Sequence, residues 1–235
     1  MWSKPSVISW MVGVAVAMAQ ASLPAQEAAT PAGGQVPIPA TGEYASIDVR
    51  LLNESVRILE TGDASARKAK AAEIRASPEQ FAPPVFYSLS NMLFEEGQED
   101  EAMFWFYAGQ LRAGFDAMRC TDVSARQAVD VLNQRYGPPI NKYAFQDLDK
   151  LESVVQKAVE WDRETPHEYD QRWINLHGMG AVRAGMQRNR GKERRAAPRP
   201  LSVDEGRWAR LAEQRRVEYL KGFHEALAEL KNKKD

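Results

Sequence analysis

A chain of 235 residues with 44% apolar side chains, 31 Lys and Arg against 32 Asp and Glu, and a single cysteine has the make-up of a globular protein. That excludes a fibrous repeat and a wholly disordered chain, and one cysteine excludes an internal disulfide framework and any multi-cysteine zinc site. A formal net charge of −1 lacks the positive excess that phosphate binding requires, so nucleic acid is not an expected partner.

Met1 to Ser6 carry the α-amino group and Lys4 with no acid, and Val7 to Ala19 follow as thirteen residues broken only by Ser9 and Gly13. As a helix rising about 1.5 Å per residue this stretch falls short of a ~30 Å hydrocarbon core, and it fits the h-region of a secretory signal peptide. Ala19-Gln20-Ala21 supplies the small residues a signal peptidase reads, so residues 1–21 are expected to be removed before Ser22, with cleavage after Ala25 as the alternative. An uncleaved N-terminal anchor is the competing reading. The Ala-rich signal points to the bacterial periplasm or the medium. Residues 22–44, rich in Ala, Pro, Gly and Thr, cannot offset their ordering entropy by burial and read as a flexible tether before a helical domain over 45–235.

From Ser46 onward the apolar period is helical. Val49, Leu52, Val56 and Leu59 line one face of a first helix that stops at Gly62, and a second runs from Asp63 to Ala76. Ser77-Pro78-Glu79-Gln80 begins a short turn, and Pro84 opens a helix carrying Phe86, Leu89 and Leu93 up to Gly97. Ala102, Trp105, Phe106, Gly109 and Leu111 mark the inward face of a long helix. Thr121 or Asp122 caps the next, with Val129, Leu132 and Tyr136 inward and Gly137-Pro138-Pro139 as its expected end. Leu148, Leu151, Val155, Ala158 and Trp161 mark another. Thr165-Pro166-His167-Glu168 and Ser202-Val203-Asp204-Glu205 both read as capping boxes, the second opening a terminal helix over 203–231. No run has the strict period of two that a strand face demands, so the fold class is all-α.

Phe86-x2-Leu89-Ser90-x2-Leu93, then Gly97, then Ala102-x3-Phe106 follows the spacing of a tetratricopeptide repeat, and Ala102-x2-Trp105-Phe106-x2-Gly109 resembles the signature of its Sel-like branch. Large residues pack the first helix, a small residue lets the second approach, and glycine permits the turn. The resemblance covers about residues 86–114. Ser90 stands for the usual Gly and Gly109 for an Ala, and Gly114 is expected to end the second helix in place of a Pro. The resemblance implies antiparallel helix pairs stacked as a short, degenerate array closed by a long C-terminal capping helix, and a concave surface that binds another protein.

Tyr169, Arg172, Trp173 and His177 lie in a connector dense in aromatic and polar groups, and are the expected partner contacts. Arg190, Arg194 and Arg195 join them from the basic loop over 181–200, which holds seven cations against Glu193 and suits an acidic protein or, more weakly, an anionic membrane surface. The acids Asp162, Glu164, Glu168 and Asp170 gather around His167, yet their spacing matches no zinc or calcium motif, so neither metal nor cofactor is expected. Cys120 reads as a buried, inert thiol. No nucleophile elbow or phosphate loop is present. The expected function is that of a periplasmic, non-enzymatic binding protein, most specifically an immunity protein that occludes a toxin delivered by a secretion system. An envelope scaffold, or a peptidoglycan- or lipid-acting hydrolase using Glu95 or Glu96, is the alternative.

Overall fold

Asp63 shows how closely local chemistry sets the helix boundaries: its carboxylate accepts a hydrogen bond from the Ala66 amide at 2.8 Å, opening α2 (Ala64–Ala76) directly after α1 (Arg50–Thr61) has closed at Gly62. The computed structural model describes residues 40–189 and 200–232, and among these every regular element is helical apart from an isolated bridge between Cys120 and Ser202. The expected signal peptide and residues 22–39 of the expected tether lie outside the described residues. A 3-10 turn over Pro78–Gln80 leads into α3 (Pro83–Glu95), and α4 (Glu99–Arg119) follows a turn in which Gly97 takes a φ of 77°. That left-handed conformation favours glycine.

The α3–α4 pair is antiparallel and tight. Ser90 donates to the Ala102 carbonyl at 2.6 Å near one end, and Phe86 and Tyr87 face Gly109 at the other. A Cβ on Gly109 would sit 3.2 Å from the Phe86 Cβ, so the glycine sets the helix separation here.

Helix α4 is the axis of the molecule: α3, α5 (Gln127–Ala144), α6 (Leu148–Glu164) and α8 (Trp208–Asn232) all pack on it. Helix α5 is fastened by Tyr107 to Asn141 and by Gln110 to Asn133, while α6 runs antiparallel to α8 through Asp162–Arg216 and Asp149–Lys231. Helices α5 and α6 scarcely meet each other. Consecutive helices therefore pack on each other at α1–α2 and α3–α4 and scarcely at α5–α6. A small second core forms where Tyr44, at the end of the expected tether, meets Ile47 and Leu201, with Ala181 and Ala184 of α7 (Met179–Asn189) against it.

Several expected boundaries are corrected. Gly114 does not end α4; the helix continues to Arg119 and the missing Cβ leaves room for the Arg215 guanidinium of α8. Helix α5 runs through Pro138 and Pro139, which face solvent, because Tyr136, Gly137 and Ile140 beside them are buried. Burying two such apolar side chains at about 1.5–3 kcal/mol each offsets much of the roughly 3 kcal/mol that each of the two interior prolines costs. No helix begins at Thr165. The chain runs irregularly to Asp170, whose carboxylate caps a 3-10 helix over Gln171–His177. Residues 181–189 belong to α7 and are not loop. Asp204, not Ser202, provides the cap before the terminal helix, which opens as a 3-10 turn over Glu205–Arg207.

Candidate functional site

Arg112, Asp116 and Arg119 stand four and three residues apart on α4, which puts them on one face, and that face is interior. Asp162 of α6 accepts from Arg112 Nε at 2.9 Å, from Arg216 Nε at 2.8 Å and lies 2.9 Å from His167 Nε2. Burial pushes the Asp162 carboxyl upward, but the bond from His167 and the two guanidinium charges overcome it and hold it at about 2. Burial likewise lowers the pKa of His167, so its ring is neutral and Nε2 is the donor at neutral pH. Asp116 forms a second buried node, accepting from Arg119, from the Tyr169 hydroxyl at 3.1 Å and from the Trp173 indole at 2.7 Å. The two guanidinium groups also lie on aromatic faces: Arg112 is 4.3 Å from the Trp161 centroid, and Arg119 is 4.2 and 4.6 Å from those of Phe115 and Trp208.

This network absorbs much of the connector expected to carry partner contacts. Trp173 is buried to 2% exposure with its indole committed to Asp116, which corrects its assignment as a contact residue. Tyr169 is half-buried and points its hydroxyl inward, leaving only part of its ring near solvent. Arg172 is held by the Asp170 carboxylate at 2.6 Å and by the Ser46 carbonyl at 3.2 Å, so it fastens the connector to the start of the domain. His177 is exposed, its ring edge-on to Trp173 at 5.8 Å. Arg190, Arg194 and Arg195 lie outside the described residues. Glu168 serves no capping box; it accepts from the Gln80 side chain, and its amide donates to the Glu79 carbonyl at 2.8 Å. Among the described residues no three His, Cys, Asp or Glu side chains come together in a way that could hold a metal ion. Burial of Cys120, whose thiol donates to the Asn175 side chain at 3.1 Å, pushes its pKa up to about 11.

Where the connector meets α1 it leaves a recess of about 190 Å³. Leu51, Leu52, Ala82 and Tyr169 supply carbon surface, and Asp48, Gln80, Glu168 and Asp170 supply polar edges. Two of those acids are already paired, Asp48 with Arg50 and Asp170 with Arg172, whereas Glu168 accepts from the neutral Gln80 side chain and keeps its charge at the recess. Pockets for whole small molecules run to about 300–1,000 Å³, so this recess suits a single side chain. The recess was not legible in the sequence, because its walls come from three separate segments, at 48–52, 80–82 and 168–170. The buried network did leave a signal, namely charged residues at helical spacing on the inward face of an apolar helix.

No family model and no solved structure matches the chain. A curated protein of Haemophilus influenzae, described as an uncharacterized protein, is 27% identical over 103 residues, a match that covers 43% of this chain and 40% of that relative. The chain thus spans about two-fifths of the curated relative it matches.

Proposed function

We propose that this chain is a non-enzymatic protein-binding module of the periplasm and, in its specific form, an immunity protein that occludes a toxin delivered by a secretion system. The observation that carries the reading is the side-chain-sized recess beside Tyr169, whose rim includes Leu51 at 38% exposure. The groups best suited to chemistry point the same way: Asp162, Asp116 and His167 are engaged in interior bonds that hold α4, α6, α8 and the connector together. Export is supported by the N-terminal sequence, and a repeat-like binding surface by the spacing and tight packing of the α3–α4 pair.

The test mixes the mature chain, residues 22–235, with each toxin encoded beside its gene and follows the mixture by size exclusion. A complex that is lost in Leu51→Arg and Ala82→Arg supports the reading. Absence of any complex removes the immunity role. Hydrolysis of purified sacculi or phospholipid that one Glu or His substitution abolishes would replace the reading with that of an enzyme.

A further inference from the structure

The walls of the recess beside Tyr169 are fastened to one another. The Asp48 amide, just ahead of α1, donates to the Asp170 carboxylate at 3.0 Å. The Glu168 amide donates to the Glu79 carbonyl at 2.8 Å, which ties the connector to the 3-10 turn over Pro78–Gln80. Leu51 and Leu52, in the first turn of α1, and Ala82 at the start of α3 then give the recess its carbon surface. An occupant enters a site that is already formed, so little of its binding energy goes into ordering the walls.

The side-chain groups left over at the rim are acceptors. Asp170 is satisfied by three bonds from Arg172 and one from the Asp48 amide, and Asp48 is clasped by Arg50 through three nitrogens. Tyr169 gives its hydroxyl to Asp116. Glu168 is different. Its Oε2 accepts from Gln80 Nε2, while its Oε1 and the Gln80 Oε1 accept nothing among the described residues. No Lys or Arg lines the recess, and Lys70, which lies over the neighbouring Phe81 ring, gives its ammonium to Glu73. An exposed carboxylate with no cation thus stands at the mouth of a small carbon-walled hollow.

Taking the recess as a partner contact, on which this step rests, we infer that its occupant is a long cationic side chain, a lysine or arginine of the partner protein. An apolar side chain would cover the leucines but strip water from Glu168 without replacing its bonds, and an acidic one would add a like charge. Lysine and arginine carry donors and no acceptor at the end of a carbon stem. The stem lies along Leu51, Leu52 and Ala82, and the head reaches Glu168 and Gln80 at the rim.

The test titrates the mature chain, at fixed ionic strength, with blocked tripeptides carrying arginine, lysine, norleucine or glutamate between two alanines, and follows the methyl resonances of Leu51, Leu52 and Ala82. Saturating shifts are expected with the arginine or lysine peptide, weakened about fivefold in Glu168→Gln and unchanged in Glu225→Gln, which removes the same charge from an exposed position on α8. Circular dichroism and urea unfolding establish that both variants are folded. Norleucine or glutamate binding as tightly as the basic peptides, shifts with none of the four, or equal weakening by both substitutions would each overturn the inference. The comparison of the four peptides needs no variant. No toxin is present, so the two readings fail separately: a toxin complex lost in Leu51→Arg, alongside equal binding of the norleucine peptide, would keep the protein-binding role and overturn the cation.

Discussion

Arg112 donates from Nε to Asp162 at 2.9 Å with the two side chains 0% and 5% exposed, so the contact between the central helix and α6 is an interior ion pair. Arg216 completes the neutralisation from α8, which makes Asp162 the acceptor that joins three helices. Replacing Asp162 by Asn leaves two guanidinium groups facing one neutral amide. A loss of about 3 kcal/mol is expected, read as a lower urea midpoint with an unchanged slope. Arg112→Met placed on top of Asp162→Asn should recover part of that loss, because it removes the charge that was stranded.

Acid should unfold the protein in two overlapping steps. The folded Asp162 pKa of about 2 lies below the ordinary carboxyl range near about 4, so its contribution is present above about pH 4 and is lost as the pH falls toward 2. That contribution is about 2 kcal/mol. His167, kept neutral by burial, takes up a proton more readily when unfolded, so stability also declines as the pH drops below about 6.5. Urea midpoints measured from neutral pH downward check both signs, and Asp162→Asn should flatten the more acidic limb.

Two glycines of α4 should respond oppositely to enlargement. At Gly109 a Cβ meets the Phe86 Cβ and the Tyr87 ring at 3.2 Å, so Gly109→Leu forces the paired helices apart and is expected to cost about 3 kcal/mol. At Gly114 a Cβ meets the guanidinium end of Arg215, a flexible group that can swing away. Gly114→Ala should therefore be within about 1 kcal/mol of neutral, the better helix propensity offsetting the lost Arg215 contacts. Thermal unfolding of the two variants distinguishes the sites.

Helix α5 carries exposed prolines in its interior and should gain from their removal. Pro138→Ala with Pro139→Ala restores two amide donors to the carbonyls one turn earlier. The gain is partly cancelled by a freer unfolded chain, leaving a net stabilisation of about 1 kcal/mol. A rise in the melting temperature, with unchanged secondary structure, is the expected reading.

Cys120 should be inert in the native protein. Its thiol is buried beside Asn175 with a pKa of about 11, so an aromatic disulfide reagent at mildly alkaline pH should react only after urea is added. Prompt native-state labelling would show that the Cys120 region opens.

Much of the fold was legible before the structure. The positions of α1, α3 and α6 follow from apolar spacing and that of α2 from an Ala- and Lys-rich run, and Asp63 and Gly97 act where their chemistry suggests, since a short acceptor side chain caps and a glycine tolerates positive φ. The errors fall where a tertiary contact overrode a local signal. Gly114 and Pro138-Pro139 look like stops, but Arg215 occupies the space at one and the buried Tyr136 and Ile140 offset much of the cost of the other. Glu168 looks like a capping partner until Gln80, distant in sequence, takes its carboxylate. The candidate site divides in the same way. That residues 161–177 carry a dense set of polar and aromatic groups is a property of the sequence alone. That Trp173 and Tyr169 turn inward to Asp116, while α1 and the connector enclose a recess, was decided only when α4 brought its buried charges against them, because a carboxylate removed from water must gather its donors from whatever segments the fold brings near.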